Sequence, residues 1–333
     1  MGNPDILWDQ ALGRDIGAII QSGWVSIGEW VETLEECFKN ETGCKHAIGT
    51  NSATTGLIIA IKAAGWKDNT VHMPAFTWPS TLYAVKCNGN KARFHDIDRN
   101  TWQMDNINYG DVSVCDRILS VDVFGSESVP WIDFPLENRI IDAAHGYGLP
   151  NLGKRGIAEV VSLSFTKVVT GMEGGMILTD SDELAKIATE LRRLSGRMGE
   201  INARVAMQSI GDYKSNRSLK LEVIENYRRG ININYTEQEV TYASNNSVYS
   251  ILFAETSARN AVMKALARNG VETKVYYDPL VPGLPNTDYV YNHILSLPIH
   301  ADVIDNQMKI IDIINESAET TPGKKYLAEG WDE

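Results

Sequence analysis

One lysine in this chain lies between two strand-like apolar segments, in a stretch whose residue types suit covalent chemistry. The stretch reads SLSFTKVVTGMEGG from Ser162 to Gly175, and Lys167 is its only lysine. Glu173-Gly174-Gly175 follows it and leads into a second apolar run. This order is typical of a loop that holds a Schiff-base lysine: a strand, then a polar turn with one amine, then glycines that let the chain fold back.

A second polar group lies upstream, where the apolar run 139–141 ends. It reads Asp142-Ala143-Ala144-His145. Pyridoxal phosphate (PLP) needs an amine for its aldehyde and a carboxylate for its pyridine nitrogen. An acid that ends one strand and a lysine that follows the next therefore indicate PLP as the cofactor.

PLP also needs a flat side chain against its ring and a site for its phosphate. Trp78, in the loop Ala75-Phe76-Thr77-Trp78-Pro79, is the candidate for the ring. Thr54 and Thr55 belong to a hydroxyl-rich turn that begins an apolar helix. A helix N-terminus exposes N–H groups and favours an anion, so this turn and Ser162 are the candidates for the phosphate.

Each candidate also has an ordinary structural explanation. A loop lysine such as Lys167 is usually a solvated charge, and Asp142 at a strand end could be a turn former. Trp78 could fill a core, His145 could be a satisfied hydrogen-bonding histidine, and the hydroxyl turn could be a simple N-cap. The order of the set favours the cofactor site, because each member closes a predicted strand.

Strands alternate with helices or long connections over most of the chain. Strands are predicted at 46–50, 71–74, 91–97, 117–124, 139–141, 160–165 and 176–179, and helices at 6–22, 29–42, 56–64, 80–88, 181–194 and 199–229. This pattern predicts an α/β domain over residues 1–229, with a mostly parallel sheet flanked by helices. Ligands of such sheets lie beyond the carboxyl ends of the strands, where the candidate residues fall.

After Gly230 the pattern changes to that of a smaller α+β domain, predicted over residues 230–333. Its strands are predicted at 248–253, 271–277 and 295–300, and its helices at 258–269 and 301–315.

Composition excludes several classes of protein. The net charge of -12 over 333 residues argues against a nucleic-acid surface. The apolar runs are strand-length, so no membrane span is expected, and the first residues show no secretion signal. No metal site is expected, because there is no HExxH motif and no Cys/His cluster. The cysteines show no CxxC spacing, which favours reduced thiols in a cytoplasmic protein; they are Cys37, Cys44, Cys87 and Cys115.

Nearly the whole chain resembles the DegT/StrS-type aminotransferases, which are PLP enzymes of fold type I that aminate keto-sugars. Ser52-Ala53-Thr54-Thr55-Gly56-Leu57 is similar to the family's phosphate turn. Pro74-Ala75-Phe76-Thr77-Trp78 is similar to the segment whose aromatic ring stacks on PLP. Asp142-Ala143-Ala144-His145 resembles the Asp-x-Ala-His/Gln motif, and the stretch from Ser162 to Gly175 has the family's Ser, Lys and Glu-Gly-Gly spacing.

The resemblance implies a role for each of these residues. Lys167 would carry PLP, Asp142 would pair with the pyridine nitrogen, and His145 would lie near the ring oxygen. The chain departs from the family after Leu194: the family usually has a longer connection at this point, whereas here Leu194 runs almost directly into Ser195-Gly196-Arg197-Met198-Gly199-Glu200. In the family an asparagine at the position of Ser195 reaches the phosphate of the neighbouring subunit's PLP, so the shorter Ser195 is the candidate for that contact. The family's Pro-Leu-His is Pro279-Leu280-Val281 here, which removes a possible substrate contact.

The predicted enzyme is a homodimer with shared active sites. It moves an amino group from an amino acid, by resemblance L-glutamate, to a nucleotide-linked 3- or 4-keto sugar. A related sugar dehydratase is one alternative, but those relatives carry a histidine where Lys167 stands. A PLP-binding protein without turnover is another, and the complete set of candidate residues argues against it. An aminotransferase for a cyclitol or polyol ketone shares all the core residues and stays open.

Overall fold

Two sheets organise the described part of the chain, which in this computed structural model comprises residues 9–104, 116–128 and 134–319. The strands are β1 (His46–Thr50), β2 (Thr70–Pro74), β3 (Lys91–His95), β4 (Arg117–Val121), β5 (Arg139–Ala143), β6 (Ala158–Ser162), β7 (Gly175–Thr179), β8 (Tyr235–Glu237), β9 (Tyr249–Phe253) and β10 (Ile294–Leu297). The helices are α1 (Gln10–Ser22), α2 (Glu29–Thr42), α3 (Ala53–Ala63), α4 (Pro79–Cys87), α5 (Asp182–Ser195), α6 (Glu200–Gly230), α7 (Thr256–Arg268), α8 (Pro285–His293) and α9 (Gln307–Glu319).

The larger sheet has seven strands in the order β1-β7-β6-β5-β4-β2-β3, and the smaller has three in the order β10-β9-β8. Within the larger sheet, β2 pairs with β3 and β4 in parallel, as do β4 with β5 and β5 with β6. Only β7 runs in the opposite direction, since it is antiparallel to both of its neighbours. The prediction of a mostly parallel sheet flanked by helices is confirmed.

Apolar clusters cover both faces of the large sheet. On one face Leu57 and Ile61 of α3 pack with Ala84 of α4. On the other, Leu34 and Phe38 of α2 pack with small residues of α6. The third cluster joins the C-terminal half of α6 to the small sheet, α7 and α9. Helix α6 therefore contributes to two cores, and the domain boundary between residues 229 and 230 stays a prediction.

Most predicted elements have structural counterparts whose ends shift by a few residues, and α2 has the predicted bounds. The strand predicted at 271–277 is wrong. That segment makes only an isolated bridge, between Lys274 and Ser296 on β10, because it turns from the sheet edge to form part of a cavity wall. Strand β8 and helix α8 were not predicted. The last predicted helix, 301–315, begins with a 3-10 turn and becomes α-helical only at Gln307.

Two buried acidic residues fix the scaffold. Glu200, at the start of α6, accepts hydrogen bonds from the backbone N–H groups of Gly28 (2.9 Å), Trp30 (2.9 Å) and Val31 (3.0 Å), and so caps α2 from outside. Asp122, which follows β4, accepts two 2.8 Å hydrogen bonds from the guanidinium of Arg155. Both carboxylates thus have the partners that buried charge requires.

Within the described ranges, no helix combines the length and apolar character that crossing a membrane requires. Over the same ranges, no group of three or more His, Cys, Asp or Glu residues is arranged to hold a metal ion. Cys37, Cys44 and Cys87 are free thiols, and Cys115 lies outside the described residues.

Candidate active site

A cavity of about 1050 Å³ lies beside the carboxyl ends of β5 and β6, and the C-terminal part of the chain forms its other side. The structure brings most of the predicted site residues to its walls, namely Thr54, Trp78, Asp142, His145, Ser162 and Lys167. Two predicted residues, Thr55 and Ser195, are not in the cavity lining.

Lys167 lies on a loop that backbone hydrogen bonds close at its base. The N–H of Leu163 donates to the carbonyl of Gly174 at 2.9 Å, and the N–H of Gly171 donates to the carbonyl of Leu163 at 2.9 Å. Within the loop, the N–H of Lys167 donates to the carbonyl of Ser164 at 3.0 Å. The lysine is therefore held on a fixed turn between β6 and β7.

The Lys167 amine and the His145 imidazole are in direct contact, with Nζ 2.8 Å from Nε2. Burial lowers the pKa of Lys167 to about 8, and the nearby charge of Asp142 opposes that shift. Burial, and then the Lys167 charge, hold the pKa of His145 well below its usual range. An amine with a pKa this close to neutrality can act as nucleophile and as base, and the imidazole beside it is neutral.

Asp142 ends β5 with its carboxylate buried and hydrogen-bonded. Its Oδ2 accepts from the hydroxyl of Thr81 at 2.7 Å, and its Oδ1 accepts from the N–H of Ala144 at 3.1 Å. Burial raises the pKa of Asp142, whereas these two hydrogen bonds and the Lys167 charge lower it. Hydrogen bonds to the charged form keep a buried carboxylate available to pair with a cation.

The N-terminus of α3 faces the same cavity through Ser52, Ala53 and Thr54. Ser52 is also an ordinary N-cap, since its side chain accepts from the N–H of Thr55 at 3.1 Å. The close approach of β7 explains a glycine of the Glu-Gly-Gly motif, because a Cβ on Gly175 would lie 2.6 Å from the backbone nitrogen of Ala53. The first N–H groups of a helix have no intrahelical acceptor, so this end can receive an anion.

Trp78 behaves unlike a core tryptophan. Its side chain is 57% exposed, whereas Trp66 and Trp102 are each 1% exposed. Its ring lies 6.4 Å from the rings of Tyr276 and Tyr277, measured between centroids, and all three line the cavity. An exposed aromatic face beside a cavity suits stacking against a flat ligand.

Thr55 lies close to Gly196, the neighbour of Ser195, and neither Thr55 nor Ser195 lines the cavity. The hydroxyl of Thr55 is 3.0 Å from that of Ser52, and its methyl group lies where a side chain on Gly196 would meet it at 2.9 Å. Ser195 is exposed, and its hydroxyl bonds back to the carbonyl of Leu191 at 3.4 Å. Within one chain neither side chain joins the cavity wall.

Three residues that hydrogen-bond Asp142 or His145 were not predicted from the sequence. Thr81 bonds Asp142; Ser247 and Tyr277 lie 2.7 Å from Nδ1 and 3.4 Å from Nε2 of His145, respectively. Only the spacing of Thr77, just before α4, and Thr81, in its first turn, could have indicated Thr81. Ser247 and Tyr277 come from the C-terminal part of the chain, and no local pattern connects them to His145.

The residues present fit PLP. A lysine with a lowered pKa faces the cavity for the aldehyde, and a buried carboxylate lies in the same wall for the pyridine nitrogen. The α3 N-terminus with its hydroxyl groups suits the phosphate, and Trp78 suits the ring. This donor set supplies each function that PLP requires of a protein.

A family model and a related protein of known sequence match this chain, and the model is that of the family that the sequence motifs resemble. The family model described as DegT/DnrJ/EryC1/StrS aminotransferase matches residues 9–315. Protein Mb3436c of Mycobacterium bovis is 25% identical over 363 residues, which cover 92% of this chain and 87% of that protein.

Solved structures show the same fold. DesI in the presence of its TDP-sugar product has a TM-score of 0.84 and 24% identity, over 95% of this chain and 93% of its own. Escherichia coli GDP-4-keto-6-deoxy-D-mannose-3-dehydratase with bound hydrated PLP has a TM-score of 0.81 and 18% identity, over 94% and 99% of the two chains. With a family model that spans nearly the whole chain, this protein belongs to the DegT/DnrJ/EryC1/StrS aminotransferase family, and it is a PLP-dependent aminotransferase.

Proposed function

We propose that this enzyme transfers an amino group from L-glutamate to the ketone of a nucleotide-linked sugar, at C3 or C4. The observation that carries the proposal is the pairing of Lys167 with His145 at 2.8 Å in a cavity that Asp142 also lines. Lys167 is the residue that we expect to hold the cofactor covalently.

The residues of the chain have distinct tasks in this proposal. PLP, when bound, supplies the electron sink that makes the donor's α-hydrogen acidic. Lys167 Nζ would move a proton from the α-carbon of the amino donor to the cofactor in the first half of the reaction, and from the cofactor to the sugar carbon in the second. Asp142 holds a proton at the pyridine nitrogen, and the α3 N-terminus binds the phosphate.

The size of the cavity supports a large second substrate. Ligand sites for drug-sized molecules usually measure about 300 to 1,000 Å³. This cavity, at about 1050 Å³, lies just above that range and extends from Lys167 to Lys309 in α9. Such a space accommodates a cofactor together with a substrate larger than a simple keto acid. The TDP-sugar product bound by DesI supports a nucleotide-linked sugar here by analogy.

The presence of Lys167 favours amino transfer over the dehydration that one structural relative performs. Dehydratases of this family resemble the aminotransferases but replace the lysine with histidine. Here the lysine is present, is half-buried in the cavity and has a pKa of about 8. A base of this kind suits proton transfer at the α-carbon of an amino donor.

We also propose a homodimer in which Ser195 contacts the neighbouring subunit's phosphate. Exposed apolar side chains near the segment 195–200 support this assembly: Trp24 is 66% exposed, Leu194 83% and Met172 51%. A contiguous surface formed by such side chains would suit a protein interface.

The proposal is tested by the absorbance of the purified protein with PLP, before and after L-glutamate. We expect the visible absorbance of the lysine-bound cofactor to be replaced by the near-ultraviolet absorbance of pyridoxamine phosphate. The aminated enzyme is then offered keto-sugar nucleotides, with a cyclitol ketone as the comparison substrate. A visible band that no amino donor changes would indicate a binding protein without turnover and would end the proposal.

A further inference from the structure

His145 lies between two hydrogen-bonding partners that come from distant parts of the chain. Its Nε2 is 2.8 Å from Nζ of Lys167, and its Nδ1 is 2.7 Å from Oγ of Ser247. Ser247 is in the loop before β9, which the C-terminal sheet supports. A neutral imidazole carries a single ring proton, so one of its nitrogens donates and the other accepts.

Both groups near Nε2 of His145 can donate a hydrogen bond to it. The Lys167 amine, with a pKa of about 8, is mostly protonated at neutral pH, and an ammonium group can only donate. The hydroxyl of Tyr277 lies 3.4 Å from the same nitrogen, and burial raises the pKa of Tyr277, which keeps its proton in place. The charge of Asp142 also acts on Lys167 at this end of the cavity. Nε2 is therefore the acceptor, and Nδ1 carries the proton toward Ser247.

The position of Ser247 is fixed by its own backbone. Its N–H donates to Oδ1 of Asn245 at 2.8 Å. The amide of Asn245 in turn donates to the carbonyl of Tyr147 at 2.8 Å and to the carbonyl of His145. Gly125 leaves room for this contact, because a Cβ there would lie 1.8 Å from Oδ1 of Asn245. Asn245 thus hydrogen-bonds the backbone of both Ser247 and His145 and holds the two residues together.

We propose that Ser247 is a positioning residue for Lys167. By accepting the Nδ1 proton it fixes one tautomer of His145, and Nε2 then accepts a hydrogen bond from the lysine whenever the amine is not attached to the cofactor. The inference rests on the proposed function, in which Lys167 is the working amine.

Loss of the Ser247 hydroxyl leaves a buried N–H without an acceptor. An unsatisfied buried donor is costly, and the ring can relieve that cost by moving its proton to Nε2. Nε2–H then faces the Lys167 ammonium, which can only donate, so this form of the lysine loses its acceptor. The released amine is held less well for proton transfer.

The tautomer can be read directly by ¹⁵N NMR of histidine-labelled, full-length protein from which the cofactor has been removed. The chain has six histidines, and a His145→Gln variant identifies the signal of interest. We expect the Nδ1–H form in the native protein, a shift toward Nε2–H in Ser247→Ala, and the native form again in Ser247→Thr. An Nε2–H signal in the native protein overturns the proposal, even if Ser247→Ala does not fold.

Ser120→Ala is the matched control. Ser120 is a buried residue of β4 that does not line the cavity, and its hydroxyl lies 3.3 Å from that of Ser128. Removing it should leave the His145 signal unchanged. If Ser247→Ala has no more effect on the tautomer than Ser120→Ala, Ser247 does not set it.

The second readout is the rate of the half-reaction with L-glutamate after loading with PLP. We expect Ser247→Ala to slow it about tenfold, the loss typical of one hydrogen bond, and Ser247→Thr to restore it. Equal rates in the native protein and Ser247→Ala would contradict a positioning role. If L-glutamate never reacts but the tautomers behave as expected, the proposed donor is wrong and the role of Ser247 in fixing His145 stands.

Discussion

Thr81 donates a 2.7 Å hydrogen bond from the first turns of α4 to Oδ2 of Asp142 at the end of β5. The threonine is fully buried, and its hydroxyl is also 3.1 Å from that of Thr77. The bond opposes the effect of burial, which raises the pKa of Asp142. Thr81 therefore helps to keep the carboxylate ionised although it does not itself line the cavity.

Replacing Thr81 with valine keeps the shape of the side chain and removes the donor. The pKa of Asp142 should rise further, and the less ionised carboxyl should hold the pyridine nitrogen less well. We expect PLP affinity to fall about tenfold or more, because a hydrogen bond to a charged group contributes roughly 1.5 to 3 kcal/mol. Absorbance titration with PLP measures this change. Thr81→Ser, which keeps the hydroxyl, should bind like the native protein, and equal affinities in the serine and valine variants would show that the bond is unimportant.

The lowered pKa of Lys167 predicts how cofactor uptake depends on pH. Only the neutral amine attacks an aldehyde, and with a pKa of about 8 the neutral fraction is about 9% at pH 7 and about 50% at pH 8. The rate of PLP uptake by cofactor-free protein should therefore rise with pH, with a midpoint near 8, and fall as the amine is protonated below it. Stopped-flow absorbance provides the measurement. A midpoint above about pH 10, the ordinary lysine value, would contradict the burial of this amine, and Lys167→Ala should give no lysine-bound band.

Glu200 provides a test of stability. Its carboxylate caps α2 through the N–H groups of Gly28, Trp30 and Val31. Glu200→Ala leaves these donors unsatisfied and should lower the free energy of unfolding by about 1 to 3 kcal/mol, measured by urea denaturation. Glu36→Ala, within the capped helix α2, is the control. It removes only a surface ion pair with Lys39 and should lower the free energy of unfolding by less than about 1 kcal/mol. If both variants lose a similar free energy of unfolding, the cap that Glu200 forms on α2 does not stabilise the protein more than a surface ion pair does.

Ser195→Asn restores the residue that the family carries at this position. If Ser195 faces the phosphate of a neighbouring subunit, the longer amide should leave PLP affinity unchanged or increase it. Affinity is measured by absorbance titration, and sedimentation of the same samples reports the dimer. A marked loss of affinity in an intact dimer would show that the shortened connection before Ser195 has moved this segment away from the cofactor.

The sequence predicted those features that local patterns determine. The bounds of α2 follow from apolar residues on one face and from Gly43, whose left-handed conformation ends the helix. The Lys167 loop and Asp142 were identifiable because each closes a strand of a largely parallel sheet.

Features that depend on distant partners were not predictable in this way. The residues between 271 and 277 alternate like a strand, but most of them line the cavity and only Lys274 makes a bridge to β10. Strand β8 exists only through its pairing with β9, and α8 begins at Pro285 in a polar stretch. Ser247 and His145 are 102 residues apart, so their contact arises only from the tertiary fold.

The cavity draws its walls from two consecutive portions of the gene product. The first supplies Asp142 and Lys167, and the second supplies Ser247 and Tyr277. Recombination between related genes downstream of α6 would therefore exchange much of one cavity wall while leaving Lys167, the proposed attachment residue, in place. In such a hybrid, His145 would still position Lys167 only if the new C-terminal half supplied a hydrogen-bond partner in the place of Ser247. A change of amino-acceptor substrate would require changes in the C-terminal half of the chain. That same half must also keep the hydrogen bonds that hold His145, which limits how it can change.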